Sequence, residues 1–292
     1  MGLGNQRKFR RQHSAYIPTC QLPKNLSVSS SQEQIPTFYV HGFRGGDYTT
    51  QQMVSSAQEF TQVPVFLRAT VDWSSKIHYS GYWSTARFPI VQLVFKDRWI
   101  PSMIIERWFN QILNDLYQRY HFKSYNAIGH SLGAVALVSF LINTYNKPLP
   151  QIRRLALIAG PFDGVVAFGD LPNINPLSPQ GRPAFMTPKY LWTYLNRVKF
   201  PKNAQILNVF GNINDSSNTD KYVSVSSARS IKYILKPQVQ QFLEYNAVGT
   251  SGEHSQMHDD KNVLQVINNF IYVPNKGSLN NGTTSKLPPY FN

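Results

Sequence analysis

Five residues, Gly129-His130-Ser131-Leu132-Gly133, constrain this chain more than any others. A strand-like run, YNAI at 125–128, precedes them, and a strongly apolar run, AVALVSFLI at 134–142, follows. The pattern G-x-S-x-G has physical meaning only where a strand passes straight into a helix. There the serine sits on a cramped turn with unusual backbone angles. Any side chain larger than hydrogen two positions to either side would strike a neighbouring strand or the helix, so Gly129 and Gly133 belong to the device. The turn lifts the Ser131 hydroxyl clear of the sheet edge. It also aims the Leu132 N–H at the oxygen of a tetrahedral intermediate, with the positive end of the next helix dipole behind it. The plainer alternative is a glycine-rich helix start; the strand before and the apolar helix after favour the nucleophile.

The rest of the chain reads as strands and helices in alternation. Strands are expected at 35–40, 65–71, 89–95, 125–128, 155–159, 204–210 and 239–245, with 89–95 alternatively pairing as a hairpin with the Gly81 region. Helices are expected at 49–60, 99–120, 134–145, 225–235 and 262–271. The second carries Ile104, Ile105, Trp108, Ile112, Leu116 and Tyr120 at helical spacing. Short apolar strands between helices predict an α/β fold, a mostly parallel sheet covered on both faces. Residues 165–188 break the rhythm with Pro172, Pro176, Pro179, Pro183 and Pro188 and predict a cap over a site. The aromatic stretch 73–88 is expected to shape the pocket with it.

Residues 1–34 and 274–292 are polar and basic, and are expected to be flexible tails around one domain at 35–273. Of 292 residues, 29 are Lys or Arg and 15 Asp or Glu, a net charge of +14. The tails contribute +4 and +2, leaving +8 on the body. Such a balance favours anionic neighbours, an anionic polymer or membrane surface among them. Nucleic acid is not expected, because no recognition motif accompanies the charge. Cys20 is the single cysteine, which excludes an internal disulfide scaffold. The basic N-terminus is not followed by the apolar run of a signal peptide, no span reaches membrane-crossing length, and no apolar run precedes Cys20 as a lipid anchor would need. The expected location is therefore cytoplasmic, or the cell surface if the true start lies upstream.

A neutral serine hydroxyl needs a base, and the base needs a carboxylate to fix its tautomer. In a strand–elbow–helix architecture these follow the serine as acid, then histidine. After Ser131 the histidines are His254 and His258. His254 lies in a Gly/Ser-rich loop (GTSGEHSQMH) after a strand and is preferred; His258 is expected at the start of the last helix. Among the acids between them, Asp215 and Asp220 lie in the loop beyond the next-to-last strand, and Asp220 is preferred with Asp215 as the alternative. An EF-hand in this loop is excluded, since Ser217 replaces the turn glycine and Val223 the bidentate glutamate. A second oxyanion donor is expected from the loop after the first strand: Gly42 permits a sharp turn, and the Phe43 amide then faces the serine.

Together these signposts resemble an α/β-hydrolase, and more narrowly the cell-surface-type α/β-hydrolases of Gram-positive bacteria. The resemblance spans about residues 36–272. It rests on His41-Gly42, GHSLG at 129–133, AGPFDG at 159–164, Thr219-Asp220 running into VSVSSA at 223–228, and HSQMH at 254–258. Lys221 departs from the family, which usually has glycine after the acid, and the hydrophobic leader common in that family is not seen. The resemblance implies Ser131 as nucleophile, Asp220 as acid and His254 as base. It implies a serine hydrolase, a carboxylic ester hydrolase in particular, acting on a small-molecule ester or acyl substrate through an acyl-enzyme, with no metal or organic cofactor. The alternative is a catalytically weak binding protein on the same fold that docks anionic polymers or lipids.

Overall fold

The computed structural model describes residues 33–274. In chain order the elements are β1 (Thr37–Val40), α1 (Asp47–Thr61), β2 (Leu67–Val71), β3 (Ile77–Gly81), β4 (Ile90–Phe95), α2 (Ser102–Tyr120), β5 (Ser124–His130) and α3 (Leu132–Asn143). They continue with β6 (Gln151–Ile158), β7 (Val165–Val166), β8 (Gly169–Asp170), α4 (Pro188–Asn196), β9 (Gln205–Asn212), α5 (Val225–Leu235), β10 (Gln241–Val248) and α6 (Lys261–Tyr272). Apart from Glu33, Gln34 and Pro274, the expected tails lie outside the described residues. Gln34 is itself buried, its amide bonded to the Ser84 and Ala86 carbonyls and to the Trp83 indole.

Eight strands form one sheet in the order β10-β9-β6-β5-β1-β4-β2-β3, parallel throughout except for the β2–β3 pair. Successive side chains of a strand point to opposite faces. Thus Phe38 and Val40 of β1 pack with α2 and α3, while Tyr39 packs with α1 and α6. The central strand β5 is buried along its whole length, as is nearly all of α3, which explains why neither shows a polar stripe. Each large apolar side chain buried this way contributes about 1.5–3 kcal/mol. Among the described residues no helix is long and apolar enough to cross a membrane.

Three local expectations change. The hairpin partner of Ile77–Gly81 is β2, not β4; β4 lies inside the sheet, parallel to β1 and β2. β3 is expected only as an alternative hairpin partner and not as a strand in its own right, because IHYSG is a half-exposed edge strand with no apolar run. The part of the stretch 73–88 beyond β3 does not gather over the site either. β3 carries the chain back to the N-terminal ends of the parallel strands, where Trp83 stacks on Tyr120 at 3.9 Å and Phe88 meets Tyr272. The Pro-rich region folds as the short β7–β8 pair and a series of turns leading into α4, with Thr187 as the helix cap and Pro188 at its first position.

Candidate active site

Ser131 follows β5 directly and precedes α3 at the cap position, with φ 56° and ψ −126°. A non-glycine residue at positive φ is held there against a cost of about 1–3 kcal/mol. The surroundings hold it: the Ser131 N–H donates to the Ile158 carbonyl at the end of β6, and the glycines on either side leave no room for a side chain. A Cβ on Gly129 would sit 2.8 Å from Ala134, and one on Gly133 would sit 2.6 Å from the Val40 carbonyl oxygen. Gly42 is equally tight, since a Cβ there would meet the Leu132 nitrogen at 2.7 Å and Ser131 Cβ at 3.0 Å. The loop after β1 therefore packs backbone to backbone on the elbow. Among the described residues neither the Phe43 N–H nor the Leu132 N–H has a backbone acceptor.

His41 fixes that loop. Phe95 N–H donates to its Nε2 at 3.0 Å, so Nε2 carries no proton; the proton is on Nδ1, which donates to the Gly42 carbonyl at 3.0 Å. The Gly42 carbonyl and the Phe43 N–H belong to one planar peptide and point in opposite directions. By holding the first, His41 sets the second. Burial pushes the His41 pKa down to about 4, which keeps this tautomer in place. The sequence marked His41 as a signpost and gave no sign of this role.

His254 and Asp220 meet across the loops after β10 and β9. His254 Nδ1 lies 2.8 Å from Asp220 Oδ2, and the His254 N–H donates to the Asp220 carbonyl at 2.9 Å. Asp220 is buried, and its other oxygen accepts the Tyr222 and Val223 N–H groups at 2.9 and 2.7 Å, an aspartate folding its own turn. Lys221, inside that turn, stands at φ 86°, a conformation that favours glycine. Asp215 is exposed and turned onto Ser217, whose hydroxyl holds its carboxyl below the usual range; it does not contact His254. Among the described residues no group of three or more His, Cys, Asp or Glu is placed to hold a metal.

His130, the residue before the serine, ties the two sides together. Its Nε2–H donates to the His254 carbonyl at 3.0 Å, and its ring sits edge-on between those of His254 and His258. Burial pushes its pKa well below the ordinary histidine value. His258 is not at the start of α6. It ends a short turn at Gln256–His258 and is buried, whereas Asp260 caps α6 through the Asn262 and Val263 N–H groups. The Ser131 hydroxyl and the His254 ring share no hydrogen bond among the described residues; they are neighbours through His130.

Two buried aspartates hold the Pro-rich segment, Asp163 within the segment itself and Asp170 onto the turn that follows Asp220. Asp163 accepts Thr187 N–H at 2.7 Å and the Asn175 amide at 3.1 Å. Asp170 accepts Ser224 N–H at 3.0 Å, and Val166 N–H donates to the Tyr222 carbonyl at 2.8 Å.

This architecture has relatives among solved structures. A protein from Listeria innocua, the product of gene lin2722, superposes with a TM-score of 0.73 at 21% identity, over 84% of this chain and 96% of that one. A protein proposed to be a cell surface hydrolase, from Lactobacillus plantarum, superposes with a TM-score of 0.64 at 23% identity, over 82% of this chain and 91% of that one. At such identities the likeness is one of fold. No curated protein matches the chain. The family model described as alpha/beta hydrolase of unknown function (DUF915) matches residues 24–273, nearly the whole chain, and the protein belongs to that family of alpha/beta hydrolases.

Proposed function

We propose that the protein is a serine hydrolase acting on carboxylic esters through Ser131, His254 and Asp220. The observation that supports this reading is the buried pair of His254 Nδ1 and Asp220 Oδ2 at 2.8 Å, tied through His130 to the strand that ends at the strained Ser131. Asp220 holds the proton on Nδ1 and leaves Nε2 free to act as the base. In the reaction, His254 Nε2 takes the Ser131 proton as Oγ attacks the carbonyl carbon. The Phe43 and Leu132 N–H groups receive the oxyanion. His254 then hands the proton to the leaving alkoxide as the C–O bond breaks. Water, deprotonated by the same imidazole, attacks the acyl-enzyme and releases the acid and Ser131.

The rival reading, a non-catalytic binder of anionic polymers or lipids, draws on the net charge of +14. p-Nitrophenyl esters of graded acyl length separate the two. Turnover by the wild type that falls at least about a thousandfold in Ser131→Ala supports the hydrolase. Absence of turnover on every ester, or equal turnover by both proteins, overturns it.

A further inference from the structure

The strand-end rim around Ser131 displays aromatic rings that the fold does not bury. On the oxyanion side, Phe43 and Trp99 are 47% and 68% exposed and meet edge to face at 5.2 Å. The Arg44 guanidinium lies 5.1 Å over the Trp99 ring, and Arg98 beside it donates to the Arg44 carbonyl and the Tyr48 hydroxyl. On the acid side, Tyr222 is 59% exposed, its ring 5.3 Å from that of His254. Phe168, 84% exposed, tips the turn between β7 and β8 that is bonded to the Tyr222 carbonyl through Val166. Lys221 is exposed next to Tyr222.

Both sides of the serine thus offer large rings in water, with Arg44 over Trp99 on one side and the exposed Lys221 preceding Tyr222 in the chain on the other. Rings left in water around a site mark a surface that something else covers. A soluble polyanion would satisfy the cations and leave the rings wet. A lipid–water boundary satisfies both: rings enter the acyl–headgroup zone while Arg and Lys reach anionic phosphates. The net charge of +14 is complementary to such a surface.

We infer that the rim formed by Phe43, Trp99, Phe168 and Tyr222 docks on the surface of an anionic lipid bilayer, and that the ester cleaved at Ser131 is presented in that surface. The second half rests on the hydrolase reading; the docking itself does not.

Vesicle co-sedimentation of the full chain tests it, using phosphatidylcholine alone and an equimolar mixture with phosphatidylglycerol. Ser131→Ala is measured alongside, so that binding is read without turnover. The proposal expects both proteins to bind the mixed vesicles, with affinity at least roughly tenfold above that for phosphatidylcholine alone and falling as salt is raised. It expects Trp99→Ser/Phe168→Ser, whose circular-dichroism melt checks the fold, to bind the mixed vesicles at least about tenfold more weakly. Undiminished binding by a folded double variant overturns the proposal, as does no binding by the wild type. Dextran sulfate held as tightly by wild type and double variant alike would make the rim a polyanion site and overturn it too. Vesicle binding with no turnover of soluble esters would sink the hydrolase reading and leave the docking standing.

Discussion

The two sides of the site are built by different means. The elbow and the loop after β1 meet backbone to backbone: Gly42 against Leu132, Gly133 against Val40, and His41 with both ring nitrogens on main-chain groups. The side holding His254 and Asp220 is a mesh of side-chain bonds between distant loops. His254 reaches Asp220, His130 reaches the His254 carbonyl, and Asp170 reaches Ser224. A sheet imposes the first arrangement on any chain that can follow it. The second exists only because particular carboxylates and imidazoles are present, so single substitutions should break it without disturbing the sheet.

The sharpest break is Asp220→Asn. It keeps the shape of the turn, but an amide leaves the His254 tautomer unset, and kcat on a p-nitrophenyl ester should fall by roughly 10³–10⁴. Asp215→Asn, exposed and without contact to His254, should leave kcat within about twofold. Equal effects of the two substitutions would show the acid misassigned.

On the other side, His41→Gln should lower kcat by about 10²-fold with KM little changed, because the Phe43 N–H is no longer aimed at the oxyanion. It should also destabilise the fold by about 1–3 kcal/mol if the Phe95 N–H loses its acceptor. A loss of stability at constant kcat would reduce His41 to a structural residue.

The buried histidines give the fold an acid limit. Burial holds the His41 pKa down at about 4 and that of His130 well below its ordinary value. The unfolded chain takes up protons near pH 6.5 that the fold refuses. Stability is therefore complete above that pH and declines as the pH falls toward 4, where His41 itself protonates. Each histidine removes up to about 1.4 kcal/mol per pH unit in the window. Urea midpoints across this range should fall steadily for the wild type and less steeply for His41→Gln; parallel slopes would contradict the assignment.

The smallest effect belongs to the acid turn. Lys221 at φ 86° should be relieved by Lys221→Gly, raising stability by about 0.5–1 kcal/mol in a thermal melt. A lower melting temperature would show that the lysine side chain contributes more than the backbone strain removes.

What could be read in advance follows the same division. The elbow, the parallel sheet and the two apolar faces were legible, because each is written in contiguous residues: GHSLG, the short apolar strands, the stripe of α2. β3 was not, since an edge strand exposed on one side lacks an apolar run. His258 is expected at the start of α6, but Asp260 caps that helix through the Asn262 and Val263 N–H groups, and chain order does not show where the turn before it ends. Chain order alone does not distinguish Asp220 from Asp215; in three dimensions Asp220 is buried and bonded to His254, while Asp215 is exposed and bonded to Ser217. The parts of His41 and His130 were hidden altogether, for they depend on carbonyls and N–H groups supplied by other strands.

The central claim is that the hydroxyl at the elbow is an activated nucleophile. Treating the wild type with a fluorophosphonate and mapping the adduct by peptide mass spectrometry tests it most directly. The account predicts a single phosphonylated peptide carrying the modification on Ser131, absent from Ser131→Ala and much slowed in His254→Ala. Labelling that is equal in wild type and Ser131→Ala, or that maps to another residue, would contradict it.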